Sequence, residues 1–190
     1  MEIILIDNYD SFTYNLVHML KEYAGVSVVV RRNDQITLQE VSRFKTIVLS
    51  PGPGIPEEAG LLPAIVREFG PTKTIFGVCL GHQCIGEIYG AKLKNIETPI
   101  HGKATPLLRT VMDEPILRGL PETFDVGRYH SWVVDRNDFP ESELEVTAVD
   151  PSGQIMGLRH RTHRVYGVQF HPESVLTQHG ASIIKNVVLL

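Results

Sequence analysis

Thr74-Ile-Phe-Gly-Val-Cys79-Leu-Gly-His-Gln83 constrains this chain more than any other stretch. Thr74 to Val78 is β-branched or aromatic apart from Gly77, a pattern that suits a buried strand too short to be a helix. From Gly81 onward, His82 to Tyr89 reads as a helix that stops at Gly90. Cys79 is thereby put on the turn between strand and helix. Gly77-x-Cys79-x-Gly81 is the cysteine form of a nucleophile elbow. So sharp a turn strains the backbone of the nucleophile and leaves no room for side chains two residues to either side, which accounts for both glycines. The helix N-terminus just beyond favours a thiolate over a thiol. The competing reading is a small buried core cysteine, and G-x-C-x-G alone divides evenly between the two.

The rest of the chain supplies a frame for the elbow. Glu2 to Asp7 reads as a buried strand, and a helix follows from about Ser11, with Phe12, Leu16, Met19, Leu20 and Tyr23 at helical spacing and Gly25 as its stop. Val26 to Arg31, Thr46 to Ser50 and Thr74 to Val78 are the next strands, with a helix over Pro63 to Phe69. Strands alternating with helices predict an α/β fold: a central, mostly parallel sheet with helices on both faces. Ligands in such sheets collect at the carboxyl ends of the strands, which puts Asn8 to Ser11, Ser50 to Gly54 and Cys79 along one edge. Beyond Gly90 the pattern changes to successive strands, over Lys103 to Leu108, Phe124 to Val134, Leu144 to Val149, Gln154 to His160 and Val165 to Phe170. They predict a mixed or antiparallel extension, closed by a helix from Gly180 to about Leu190. With no linker or repeat, residues 1–190 form one domain.

A cysteine nucleophile needs an oxyanion hole, a base and a group to orient that base. Ser50-Pro-Gly-Pro-Gly54 follows the third strand. It lacks the Gly-Lys-Ser/Thr of a phosphate-binding loop, and Pro and Gly would make it a rigid turn in any protein. Beside a cysteine elbow, however, the N–H of Gly52 can serve an oxyanion together with the N–H of Leu80. Each such donor is worth on the order of 10²–10³ in rate. His171-Pro-Glu173 ends the last predicted strand, and in extended backbone its two functional side chains project from one face. Glu173 can then accept from one ring nitrogen while the other faces the thiol. A lone His–Glu pair is more often a surface feature, but here a candidate nucleophile accompanies it.

Of the seven other histidines, His160 and His163 lie among arginines and read as a solvated hairpin turn. His82 shares too tight a backbone with Cys79 for in-line proton transfer. His18 and His179 read as structural or surface residues. His101, and His130 within Arg128-Tyr-His-Ser131, are expected to border the site.

Charge and composition exclude other classes. A net charge of -4 without a basic cluster argues against nucleic acid or an anionic membrane as partner. No apolar run has transmembrane length, and no secretory signal is visible, so a cytoplasmic protein is expected. Cys79 and Cys84 flank the elbow too closely for a disulfide, and no second pair exists for zinc.

Taken together, Asn8-Tyr-Asp-Ser-Phe-Thr-Tyr-Asn15, Ser50-Pro-Gly-Pro-Gly54, Gly77-Val-Cys-Leu-Gly-His-Gln83, His101-Gly-Lys103, Arg128-Tyr-His-Ser131 and Gly167-Val-Gln-Phe-His-Pro-Glu-Ser174 resemble the class I, triad-type glutamine amidotransferases over the whole chain. The Asn8 to Asn15 stretch is similar to the two chorismate-linked branches of that class, the small subunits of anthranilate synthase and the glutaminase subunits of aminodeoxychorismate synthase. The resemblance implies a flavodoxin-like amidotransferase fold and a triad of Cys79, His171 and Glu173. It also implies that Gln83, the loop of Gly52, Pro53 and Gly54, and Ser131-Trp132 hold L-glutamine. Trp132 stands where the family usually has leucine.

The same resemblance implies glutamine hydrolysis through a thioester, without metal or organic cofactor, and delivery of ammonia to a large chorismate-binding synthase subunit. One small subunit can serve either synthase, so the product is open between the two. Two stretches are expected to dock the partner: Asn8, Tyr9, Asp10 and Ser11 at the sheet edge, and His101, Gly102 and Lys103 opening a later strand. Phe12 is assigned to packing of the first helix. A stand-alone γ-glutamyl cysteine hydrolase would act without any partner. A non-catalytic regulatory subunit would have lost a triad member, and none is missing here.

Overall fold

The computed structural model describes residues 1–23 and 25–190. Its first half alternates strand and helix as expected, with one further short helix, α2: β1 (Glu2–Asp7), α1 (Thr13–Lys21), β2 (Ser27–Arg32), α2 (Leu38–Val41), β3 (Thr46–Leu49), α3 (Leu62–Phe69), β4 (Thr74–Val78) and α4 (Leu80–Ile88). The second half runs β5 (Leu93–Arg109), β6 (Thr123–Val134), β7 (Leu144–Val149), β8 (Ile155–His160), β9 (Val165–Val168) and α5 (Gly180–Val188). All nine strands join one sheet in the order β2-β1-β3-β4-β9-β8-β7-β5-β6. From β2 to β9 neighbouring strands are parallel, and beyond β9 they are antiparallel. The expected extension therefore continues the first sheet.

Both faces of the parallel part are covered, which is why its strands are nearly continuous apolar runs. Ile3 and Leu5 of β1 pack with Leu16, Val17 and Leu20 of α1 and with Ile183, Ile184 and Val187 of α5. Ile4 and Ile6 point the other way, toward Ile65, Val66 and Phe69 of α3 and Ile85 of α4. Alternation along one strand thus serves two cores.

Several boundaries differ from expectation. Helix α1 begins at Thr13, because the Asp10 carboxylate accepts from the Phe12 amide (2.6 Å) and holds 10–12 in a turn; it ends at Lys21, before Gly25. Strand β5 begins at Leu93, ten residues early, because its first part is largely exposed and carries no apolar period. Its pairing with β6 shifts register between Asn95 and Ile100 and again between His101 and Lys103. The short α2 had no apolar stripe to reveal it; Val41 alone is buried, and the Thr37 side chain accepts from the Glu40 amide to cap it.

The return of β9 beside β4 positions the site. Gly77 and Gly167 are cross-strand neighbours, so the ends of these strands bring Cys79 and His171 to one edge although they are far apart in sequence. Strand β6, at the far side of the sheet, curls back to reach the same place: the His171 amide donates to the Gly127 carbonyl at 3.0 Å.

Candidate active site

The elbow has the expected form. Cys79 is the N-cap of α4 with φ 50° and ψ -99°, a region that a non-glycine residue occupies only under constraint. Its amide donates to Val168 (2.8 Å) and its carbonyl accepts from Gln83 (2.9 Å), so both flanking elements hold it. The reasons for the two glycines are more specific than crowding around the nucleophile. A Cβ on Gly77 would stand 2.5 Å from the Gly81 carbonyl carbon. A Cβ on Gly81 would stand 2.7 Å from both the Cβ and the carbonyl oxygen of Leu49 on β3. Gly81 is therefore required by the neighbouring strand.

Strand β9 ends at Val168, two residues short of expectation, and His171-Pro-Glu173 lies in a turn in which the Ser174 amide donates to the His171 carbonyl (3.2 Å). The two side chains meet through that turn and not through extended backbone. Nδ1 of His171 is 2.7 Å from Oε1 of Glu173, and both side chains are buried. Nε2 has no hydrogen-bond partner among the described residues and is left for the Cys79 side of the cleft. Burial opposes the charged ring. Cys79 and Glu173, on either side of it, outweigh that cost and raise its pKa from 6.5 to about 10.

The other histidines are unsuited to this role. His82 is fully buried against Gly167, and burial lowers its pKa to about 3. His130 accepts from Nε of Arg128 (3.1 Å), and burial together with that guanidinium brings it to about 3 as well. Arg128 also pairs with Asp150 at 2.7 Å inside the protein, so these two members of the expected border strand point away from the cleft. Tyr129, between them, points into it. His160 is not solvated: it is buried, stacked on His163 (4.0 Å), and packed edge-on against Tyr89 (4.4 Å), because the β8–β9 turn folds over the end of α4.

The cleft is a cavity of about 500 Å³ whose lining includes Asp10, Phe12, Gly52, Cys79, Tyr129 and His171. The amides of Gly52 and Leu80 have no acceptor among the described residues, which leaves both N–H groups for a ligand. A Cβ at position 52 would lie 2.6 Å from Asn8 and 2.8 Å from Leu80 Cδ2, so only glycine brings this backbone so close. Gly54 has φ +74° and, like Pro53, is exposed at the rim. Gln83 donates from Nε2 to the Trp132 carbonyl at 2.8 Å. Position 132 thus contributes its backbone here. Ser131 is half-buried beside it, with its hydroxyl unpaired among the described residues.

The two stretches assigned to docking come together at this cleft. Tyr9, Asp10, Ser11 and His101 all line it, and the His101 ring sits 5.8 Å from that of Tyr129. Gly102 and Lys103 are exposed next to it, and Gly102 has φ +67°. Asn8 is buried and lies beneath this surface. Phe12 packs on Tyr129 (5.3 Å) and edge-on to His171 (5.9 Å), so it is part of the site as well as of the helix start.

Sequence reasoning missed Gln169. It is completely buried, and its Nε2 donates to Cys79 Sγ at 3.5 Å. A glutamine between Val168 and Phe170 in an apolar strand was the available signal, since a buried amide is costly unless it is bonded.

The geometry is that of a buried His–Glu pair beside a cysteine on a strand-to-helix turn, at the edge of a mixed α/β sheet. The family model of the class I glutamine amidotransferases matches residues 4–190, and the chain belongs to that family. It is an amidotransferase of the anthranilate synthase component II type. The rice (Oryza sativa subsp. japonica) protein Anthranilate synthase beta subunit 2, chloroplastic, is 44% identical over 193 residues, covering 98% of this chain and 70% of that protein. Aminodeoxychorismate synthase component 2 of Klebsiella aerogenes is 44% identical over 186 residues, covering 97% of each. The crystal structure of a glutamine amidotransferase from Thermotoga maritima superposes with a TM-score of 0.75 over 91% of this chain and 76% of that one, at 15% identity. That likeness is one of fold.

Proposed function

We propose that the chain is the glutaminase subunit of anthranilate synthase, releasing ammonia from L-glutamine for a chorismate-binding synthase subunit. The observation that carries the reading is the buried 2.7 Å contact of Glu173 with Nδ1 of His171, which leaves Nε2 open toward Cys79. Cys79 thiolate attacks the side-chain amide carbon of glutamine, and the Gly52 and Leu80 N–H groups receive the oxyanion. The His171 imidazolium gives its proton to the departing nitrogen, so ammonia leaves and a thioester remains. Acylation consumes the thiolate that helped to hold the His171 pKa near 10. The ring, having given up its proton, therefore stays neutral and can accept one when water must be deprotonated. Attack of that water frees glutamate and restores the ion pair. Side chains and backbone amides suffice for each step, so the half-reaction requires no cofactor.

Gln83 uses Nε2 for Trp132 and Gln169, which leaves its Oε1 to accept from the substrate. Trp132 in place of leucine is compatible with this, because its carbonyl is the group in contact. The two free cysteines suit a reducing compartment such as the cytoplasm. Equal identity, 44%, to a subunit of each synthase favours a second acceptor reaction, the formation of aminodeoxychorismate, by the same ammonia route.

Substitution of the two cysteines tests the reading. Cys79→Ser in the complex abolishes glutamine-dependent product formation while ammonia-dependent synthesis persists. Cys84, which is fully buried on α4 with its thiol pushed up by burial, tolerates Cys84→Ser with most activity retained. Equal loss from both substitutions overturns the assignment.

A further inference from the structure

Gln169 places a side-chain amide 3.5 Å from Cys79 Sγ, and the triad does not use it. We propose that its side-chain amide holds the Cys79 thiolate, and that its orientation is dictated by Gln83 on α4. The inference rests on Cys79 as the reactive thiol.

The direction of the chain of hydrogen bonds follows from chemistry. The Trp132 carbonyl can only accept, so the NH₂ end of Gln83 must face it, at 2.8 Å. The second hydrogen of that NH₂ then points to the Gln169 side chain, 3.3 Å away. Gln169 must present its oxygen there, since two NH₂ groups would otherwise confront each other. Its own NH₂ is thereby turned to Cys79 Sγ at 3.5 Å. A backbone carbonyl on β6 thus fixes, through two amides, a donor to the sulfur that β4 and α4 place.

Environment makes that donor matter. Gln169 is 0% exposed and Gln83 3%, so neither amide can turn toward water to escape the arrangement. The backbone N–H of Gln169 is tied to the Met156 carbonyl at 2.9 Å, which anchors the residue from β8. A hydrogen bond to an ionised group is stronger than a neutral one, and more so where water is excluded. The donor works in the same direction as His171: it stabilises the charged form of the sulfur, without itself ionising. It also stands apart from Gly52 and Leu80, which serve the oxyanion on the substrate.

The test reads the thiol directly, using iodoacetamide with no glutamine present. Gln169→Met keeps length and volume but removes the donor. Its Cys79 alkylation at pH 7 falls about tenfold, the equivalent of one charge-assisted hydrogen bond. Half-maximal alkylation moves to higher pH, and the steady-state defect of the complex lies in kcat with KM unchanged. A packing role would lower the melting temperature without moving that pH profile. Gln83→Met leaves Gln169 in place but frees its amide to turn, and slows alkylation by about threefold, a smaller effect because donation is weakened and not lost. Cys79→Ser provides the blank. Wild-type alkylation rate and pH profile in Gln169→Met overturn the proposal. Should Gln169→Met not fold, a wild-type profile in Gln83→Met overturns it instead. Because glutamine is absent from the alkylation assay, the result stands or falls independently of whether the enzyme acts on glutamine.

Discussion

Asn8 grips Ser50 twice: its amide donates to Ser50 Oγ (2.9 Å) and its Nδ2 to the Ser50 carbonyl (2.8 Å). Asn33 completes the clamp from the end of β2 by donating to Asn8 Oδ1 (3.1 Å). The stretch that begins the exposed rim at Tyr9 is thus tied rigidly to the loop that carries Gly52.

Gly52→Ala tests the closeness of that contact. Its new Cβ would meet Asn8 at 2.6 Å, so the loop must retreat. Loss of aim of one oxyanion donor lowers kcat by about 10²–10³-fold. KM changes little, because the ground-state amide depends less on this donor. Steady-state glutaminase assays on the complex, alongside thermal unfolding, separate this outcome from simple destabilisation.

His171→Ala removes proton transfer from both chemical steps, whereas Glu173→Ala removes orientation and charge support. The histidine variant therefore loses more activity than the glutamate variant. Glu173→Ala also withdraws one of the two groups that raise the His171 pKa to about 10, so the imidazolium form is lost at lower pH than in the wild type. NMR titration of His171 in the two proteins checks the shift. A Glu173→Ala defect larger than that of His171→Ala assigns the carboxylate to substrate contact.

Glu114 offers a pH test remote from the chemistry. Its side chain is fully buried, and burial raises its pKa from 4.5 to about 7 despite Arg159 at 3.6 Å. Between these values the folded protein holds a proton that the unfolded chain has released. Stability therefore falls as pH rises from about 4.5 to 7, by about 3 kcal/mol from this group. Glu114→Gln removes that slope and gains stability relative to wild type at pH 8. Urea unfolding of both proteins at pH 5 and pH 8 measures the difference.

Docking is tested at the rim. Tyr9 is exposed, held by its hydroxyl to Asp34 (2.8 Å) and covered by Arg32 (4.7 Å to the ring), and Lys103 is exposed on β5. The isolated chain is expected to turn over glutamine slowly and to be activated by the synthase subunit. Misaim near 1 Å costs roughly 10²-fold in such sites. Tyr9→Ala and Lys103→Glu are expected to weaken both complex affinity and activation. Wild-type behaviour of both variants moves the interface elsewhere, and full activity of the free chain favours the stand-alone hydrolase.

The sequence alone determined the elbow, the alternation of β1 through α4 apart from the short α2, and the pairing of His171 with Glu173. These are local matters: a turn needs glycines at fixed offsets, and a buried strand or an amphipathic helix writes its period into consecutive residues. What only the tertiary structure decided depends on partners distant in sequence. Gly81, at the start of α4, is dictated by Leu49 of β3, which no local rule displays. Asn8 reads as polar loop surface yet is buried, because its partners Ser50 and Asn33 come from other strands. The exposed start of β5 had no hydrophobic period, since its order comes from hydrogen bonding to β6. Gln169 looked like an ordinary member of an apolar strand. Its link to Cys79 exists because β9 returns between β4 and β8, a pairing set by the closure of the whole sheet.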